Sequence, residues 1–189
     1  MTFLTAVVGT GFVSLTADGR GTNEQGDILD ENILKMLKPR ENLAISYTGI
    51  KEACEEILET CNVDFENDGF NTVIQKLDGA INKKRYKGMN LSFIVAGKNE
   101  QNANQLSTIS NYEENTNQIA IGKEMSIAHS RSRTIDNNDS QFINLHFHYL
   151  NALRNVTNFQ DIVDAQFSFS YGVAEIDDSV NKNVKHIAF

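Results

Sequence analysis

Thr2 stands second in the chain, and Asp18-Gly19-Arg20, Lys35 and a Thr48-Gly49 turn follow it. Threonine is a poor nucleophile at neutral pH and needs a base. A free α-amine, titrating near about 7.7–8.0, can be that base when the nucleophile is itself the first residue. For Thr2 this requires removal of Met1, and threonine is small enough for ordinary methionine removal. A nearby ammonium makes the hydroxyl easier to deprotonate and holds the amine neutral by like-charge repulsion. Lys35 offers that ammonium, and Asp18 offers a carboxylate to hold it. A backbone N–H at a strand-to-helix turn can face a developing oxyanion. Gly49 stands at such a turn.

Elements must bring these residues together. Phe3 to Val8 and Phe12 to Thr16 are apolar, β-branched runs joined by Gly9-Thr10-Gly11. They read as a hairpin whose glycines supply the positive φ of the turn. Asn23 to Gly26 reads as a loop, Asp27 to Leu34 as extended chain, and Lys35-Met36-Leu37 as a short strand. Pro39 and Asn42 mark the next turn. Leu43 to Tyr47 is the strand that delivers Thr48-Gly49.

The period then changes. Ile50, Ala53, Cys54, Ile57 and Leu58 recur at helical spacing and predict a helix over 50–61. Phe70, Val73, Ile74, Leu77 and Ile81 predict a second over about 67–84, with Lys83-Lys84-Arg85 at the negative pole of its dipole. Strands are predicted over 91–96, 105–110 and 118–121, and an irregular surface loop from His129 to Ser140. Helices follow over 141–154 and 159–176, the latter capped by Asn158 or Thr157, and a last strand over 184–189. Strands, two helices, strands, two helices and a strand describe one layered α+β domain spanning 1–189, with two antiparallel sheets between helix layers.

Composition narrows the function. The chain has 189 residues, long enough for one domain with a sizeable core. Its formal net charge of -8 argues against nucleic acid or an anionic membrane surface as partner, since both need basic patches. Cys54 and Cys61 lie two helical turns apart, roughly 10 Å along the axis and too far for a disulfide. They read as buried or half-buried thiols of a reducing compartment. The apolar start from Met1 to Ala17 lacks a basic leader and is interrupted by Gly9 and Gly11, so it reads as mature structure. No stretch is long enough to span a bilayer, and a cytoplasmic location is expected.

Other candidates carry less. His146 and His148 point to different faces of a helix and would not share a metal. Ser130 and Ser132 beside His129 offer no oriented triad. Gly9-Thr10-Gly11 is too short for a phosphate loop. Glu55, Glu56 and Glu59 fit the wet face of a helix.

Thr2, Asp18-Gly19-Arg20, Ile33-Leu34-Lys35-Met36 and Ser46-Tyr47-Thr48-Gly49-Ile50 together resemble the proteasome β-subunits and their bacterial relative HslV, a family of N-terminal-nucleophile hydrolases. The distances along the chain from Thr2 to Asp18 and from Lys35 to Gly49 match the family pattern without gaps. The likeness continues in outline. Phe93-Ile94-Val95-Ala96-Gly97 is similar to the central strand, Ala120-Ile121-Gly122 to the strand before the second helix pair, and Glu175-Ile176-Asp177 to the acidic end of the last helix. Where the family has Gly-Ser-Gly, this register gives Gly122-Lys123-Glu124, so Lys123 replaces a serine. Asp178-Ser179-Val180-Asn181 follows the last acidic residue, and Ser179 is similar to the small polar residue the family carries there.

The resemblance implies a four-layer αββα sandwich. It implies that Thr2 is nucleophile and base together, that Lys35 tunes it, that Asp18 anchors Lys35, and that the Gly49 N–H forms an oxyanion hole. Asp177 becomes an accessory group near the Thr2 amine. The implied function is a threonine peptidase or amidohydrolase acting on a peptide or small amide, without a cofactor. It works as a homo-oligomer or ring, with an ATPase as a possible partner. The alternative within the same fold is an inactive scaffold or binding protein that keeps Met1.

Overall fold

The computed structural model describes residues 2–22, 27–111, 118–121, 125–130 and 139–189, with backbone alone over 118–121. In chain order its strands are β1 (Leu4–Gly9), β2 (Phe12–Ala17), β3 (Gly21–Thr22), β4 (Ile28–Asp30), β5 (Met36–Arg40) and β6 (Leu43–Thr48). Helices α1 (Lys51–Thr60) and α2 (Phe70–Ile81) follow, then β7 (Ser92–Lys98), β8 (Asn104–Ser110), β9 (Gln118–Ile121) and β10 (Met125–Ser130). Helices α3 (Ser140–Arg154) and α4 (Phe159–Ile176) precede the last strand, β11 (Lys185–Ala188).

Among the described residues the strands form a five-stranded sheet in the order β11-β2-β1-β10-β9, a four-stranded sheet β5-β6-β7-β8, and a two-stranded ribbon β3-β4. Every pairing is antiparallel. Successive side chains on a strand point to opposite faces, and both faces of the central strands are covered. Phe3 and Val7 pack with Phe142, Tyr149, Ile162, Phe169 and Val173 of α3 and α4. Leu4, Ala6 and Val8 turn the other way and meet Ala44, Ile94 and Ala96 of the four-stranded sheet. The far face of that sheet, Leu43, Ile45, Tyr47, Phe93 and Val95, buries α1 and α2 through Cys54, Ile57, Val73 and Leu77. Burial on both sides explains why these strands read as near-continuous apolar runs rather than as alternation.

Four expectations need correction. The loop predicted from His129 to Ser140 begins too early, because β10 runs to Ser130 and pairs with both β1 and β9. Its sequence, MSIAHS, has too little apolar content to signal a strand locally; pairing on both sides makes it one. Pro39 does not mark a turn but lies inside β5. That strand is at the edge of its sheet with an irregular register at this point, where a missing N–H costs no ladder bond. Helix α2 spans its apolar pattern from Phe70 to Ile81 and is shorter than the expected 67–84, so Lys83-Lys84-Arg85 falls beyond it and runs into a 3₁₀ turn at Lys84–Tyr86 rather than capping a dipole. Finally, the glycines with positive φ among the described residues are Gly49 (115°) and Gly88 (87°), not those of the first hairpin. At Gly9 the close neighbour is the Phe12 ring, which would lie 2.3 Å from a Cβ and would have to turn aside.

Met1, the loop expected over Asn23–Gly26, Gly122-Lys123-Glu124 and the 131–138 part of the expected surface loop, with Ser132, lie outside the described residues.

Candidate functional site

Strand register gathers the candidate residues at one end of the strands of the two sheets. The β1–β2 hairpin pairs Leu4 with Ala17. One step further, Phe3 and Asp18 face each other. The Asp18 N–H donates to the Phe3 carbonyl (3.0 Å), and the Phe3 N–H donates to Asp18 Oδ1 (2.8 Å). Thr2 is the next residue back along the chain, and it is buried. In the other sheet Met36 pairs with Ser46, and the Tyr47 N–H donates to the Lys35 carbonyl at 3.0 Å. Lys35 therefore enters from the residue just before β5, beside the strand that ends at Thr48 and leads into Gly49.

The two halves meet at an ion pair. Lys35 Nζ donates to Asp18 Oδ1 at 2.9 Å and to the Arg20 carbonyl at 2.5 Å. Asp18 is 0% exposed and Lys35 3% exposed, so the pair has left water. A buried charge pair survives only when its remaining hydrogen-bonding capacity is met. Asp18 meets this condition: Oδ1 also takes the Phe3 N–H, and Oδ2 takes the Arg20 N–H at 2.9 Å. Burial pulls the Lys35 ammonium below the usual lysine range, and the attraction of Asp18 works against that fall.

Gly49 lies just before the helix, whose N-cap is Ile50. Its φ of 115° is open to glycine and strained for other residues. A Cβ there would also lie 2.8 Å from the Asn90 carbonyl oxygen and from Leu91 Cδ2. Both facts dictate glycine at this turn. Asp177 is the C-cap of α4 and is buried. Its Oδ1 accepts from the Ser179 N–H at 2.8 Å and the Ser179 hydroxyl at 2.5 Å. The segment beyond it docks on the Asp18 turn, where Asn181 Oδ1 accepts from the Gly19 N–H at 3.0 Å.

Four of the five residues singled out in the sequence are thus tied to one network: Asp18 and Lys35 directly, Thr2 through its neighbour Phe3, and Asp177 through the 177–181 segment. Gly49 is joined to it through β6, which pairs with β5.

One residue was passed over. Thr48 Oγ1 lies 3.0 Å from Ser130 Oγ, a buried hydroxyl pair that bridges the two sheets next to Gly49. Ser130 ends β10 opposite Leu4. Because β10 is the last described strand before α3, the strand before the second helix pair is Met125–Ser130 and not Ala120-Ile121-Gly122. The hydroxyl at its end belongs to Ser130, and Lys123 precedes that strand. A sequence signal existed in Ile127-Ala128-His129-Ser130, another Ile-Ala run followed by a serine, but it needed the strand to be recognised first.

The remaining candidates stay outside the site. Cys54 and Cys61 are free and buried in the core beneath α1 and α2. Burial pushes the Cys54 thiol up to about 12, which leaves it inert at neutral pH. His146 stacks on Phe142 and Phe169, whereas His148 lies beside exposed Phe147. No group of three or more metal-ligating side chains occurs among the described residues. No helix among them is long and apolar enough to cross a membrane.

Comparison with solved structures places the fold. The crystal structure of eukaryotic HslV from Trypanosoma brucei superposes with a TM-score of 0.62, covering 100% of this chain and 98% of that chain at 14% identity. The fold is HslV-like. At that identity the likeness speaks for the fold and leaves the chemistry to the residues themselves. No family model matches the chain, and no curated protein matches it either. The HslV-like fold has its mixed architecture of four helices and antiparallel sheets among the described residues.

Proposed function

We propose that this chain is a threonine hydrolase of the N-terminal-nucleophile type, a peptidase or amidohydrolase, built as a four-layer αββα sandwich. The three separate cores support that layer order: α3 and α4 on the first sheet, sheet against sheet, and α1 and α2 on the second. The single observation that carries the function is the buried Lys35 ammonium on Asp18 Oδ1, the same oxygen that binds the N–H of the residue after Thr2. A fold has little reason to bury a lysine at the start of its first strand unless the charge acts on what stands there.

The chemistry follows. With Met1 removed, the Thr2 amine takes the proton of its own hydroxyl while Oγ attacks the amide carbon. Lys35 favours the alkoxide and keeps the amine neutral beforehand. The tetrahedral oxyanion forms against the Gly49 N–H. The C–N bond then breaks, the leaving amine carries away the proton held by the Thr2 ammonium, and an ester remains on Oγ. Water attacks that ester with the amine again as base, which releases the acid and restores Thr2. Asp177 with Ser179, and Ser130 with Thr48, are the accessory hydrogen-bonding pairs around the amine and the oxyanion turn.

The protein is proposed to work in the cytoplasm as a homo-oligomer. Ile143 and Phe147 on α3 and Tyr171 on α4 support association, being large apolar side chains left exposed. An ATPase partner belongs to the same proposal. Intact mass of the natively expressed protein tests the first step: a species lighter by one methionine is expected. A β-lactone or epoxyketone probe tests the second, with labelling at Thr2 that disappears in Thr2→Ala. A processed protein that never labels would instead be an inactive scaffold.

A further inference from the structure

We propose that Glu31 is a positioning residue for this site: through Arg20 and Asn181 it fixes the turn whose carboxylate and carbonyl hold the Lys35 ammonium. The inference rests on the reading of Lys35 as the group that tunes Thr2, but it concerns where Lys35 is held and can be measured without turnover.

Lys35 has two grips on the Asp18-Gly19-Arg20 turn, the Asp18 carboxylate and the Arg20 carbonyl. A carbonyl is only as well placed as its backbone. Asp18 and Gly19 are buried and Arg20 is half-buried at the end of the turn, so a side chain outside the turn must hold that end. Glu31 does so with both carboxylate oxygens. Oε1 meets Arg20 Nη2 at 2.9 Å and Oε2 meets Arg20 Nε at 3.1 Å, the side-on bidentate arrangement that gives a guanidinium a fixed orientation. The other side of the guanidinium donates through Nη1 to the Asp178 carbonyl.

Asn181 closes the circuit. Its Nδ2 donates to Glu31 Oε2 and, at 3.1 Å, to the Glu31 carbonyl. Its Oδ1 accepts from the Gly19 N–H. Glu31 thus reaches Arg20 through its side chain and Gly19 through one amide, while the Ile33 N–H donates to the Gly19 carbonyl at 2.8 Å from the same segment. The backbones are pressed together here: a Cβ on Gly19 would lie 2.8 Å from the Glu31 carbonyl oxygen and 3.1 Å from that of Asn183. Arg20 and Asn181 also hold the Glu31 carboxyl below the usual carboxylate range, so it is ionised wherever the Thr2 amine is neutral.

The clamp joins three distant pieces of chain, the 18–20 turn, the segment before Lys35 and the segment after Asp177. Each carries a residue of the proposed site. Loosening it lets water reach the Lys35 ammonium, and since burial is the larger influence on that group its affinity for the proton rises.

The test follows Lys35 itself. Full-length protein labelled with ¹³C-lysine is titrated by NMR, the Lys35 Cε signal being assigned by its loss in Lys35→Arg. In Glu31→Gln and Glu31→Ala the Lys35 midpoint is expected to rise by about half a unit or more, further in the alanine variant, and to stay put in Glu59→Ala. Titrations of the folded variants that superpose on the wild type overturn the proposal. Should Glu31→Ala fail to fold, Glu31→Gln decides, because it keeps the side-chain volume and an acceptor for Asn181. Probe labelling is run alongside: Thr2 labelling should slow by roughly tenfold in Glu31→Ala. A wild type that does not label refutes the hydrolase reading and leaves the Lys35 titration to judge Glu31 alone.

Discussion

Asp18→Ala isolates the buried ion pair and gives the sharpest prediction. Removing the carboxylate takes the counter-charge from a lysine that is 3% exposed, leaving it the Arg20 carbonyl, and it takes the acceptor from the Phe3 and Arg20 N–H groups. Breaking a buried pair from one side typically costs about 3–5 kcal/mol. The lysine has an escape, because it can give up its proton. From an ordinary midpoint near 10.4 that costs about 1.36 kcal/mol for each unit below it, so the Lys35 part of the penalty is capped at about 4.6 kcal/mol at pH 7 and about 1.9 at pH 9. Asp18→Ala should therefore destabilise by about 3–5 kcal/mol at pH 7 and by about 2 kcal/mol less at pH 9. The sign is checked by proton counting. Between the depressed midpoint of folded Lys35 and the ordinary midpoint of the unfolded chain, the unfolded state binds more protons, so stability rises with pH there. Urea unfolding at the two pH values measures it. In a Lys35→Met background the pH difference should vanish and the cost of Asp18→Ala should fall sharply. A penalty equal at both pH values, or unchanged by Lys35→Met, refutes the reasoning that the charge pair is what the site buries.

Three further outcomes are expected. Gly49→Ala forces a Cβ into a φ of 115° against Asn90 and Leu91; it should cost about 1–3 kcal/mol by thermal melting and abolish probe labelling. Ser130→Ala takes the buried partner of the Thr48 hydroxyl; a loss of about 1–3 kcal/mol in urea is expected, partly recovered by Thr48→Val in the same chain. His186 is half-buried with Nε2 3.0 Å from Ser14 Oγ, and burial lowers its affinity for a proton. The unfolded chain then protonates first as pH falls, so the His186 contribution to stability should decline below about pH 6.5 and be constant above it, and His186→Gln should remove that part of the slope in urea midpoints at about pH 5 and pH 7.5.

Much of the fold was legible because period and burial agreed. Helices α1, α3 and α4 repeat apolar residues at the spacing of one buried face, and their ends fall within a residue or two of expectation. Asn158 announces the start of α4 and makes the capping box with Asp161. Hairpin β1–β2 was equally plain. At β10 and Pro39 the reading failed because sheet position, not the local sequence, decides. Strand β10 carries Ser126, His129 and Ser130 and owes its conformation to β1, more than a hundred residues earlier. Pro39 is an ordinary turn signal locally, and only the position of β5 at a sheet edge makes it acceptable within a strand.

The same distinction runs through the site. Thr2, Asp18, Lys35 and Gly49 could be read together because all four fall within the first fifty residues at spacings that resemble a family pattern, and the structure brings Asp18 and Lys35 into contact across the two sheets. Glu31 and Asn181 have no such local signature, and that of Ser130 shows only once β10 is recognised as a strand. Glu31 looks like one more surface acid in a chain with 25 aspartates and glutamates. Its partners Arg20 and Asn181 are held by β2 on one side and the end of α4 on the other, and no spacing rule connects them. Yet these are the residues on which precision depends. A nucleophile and its charge need only a short motif to come near one another, whereas holding a carbonyl oxygen on a buried ammonium needs anchors from several directions. Residues of that second kind are therefore found by tracing hydrogen bonds outward from the motif, and the Arg20–Glu31–Asn181 clamp is where that tracing leads in this protein.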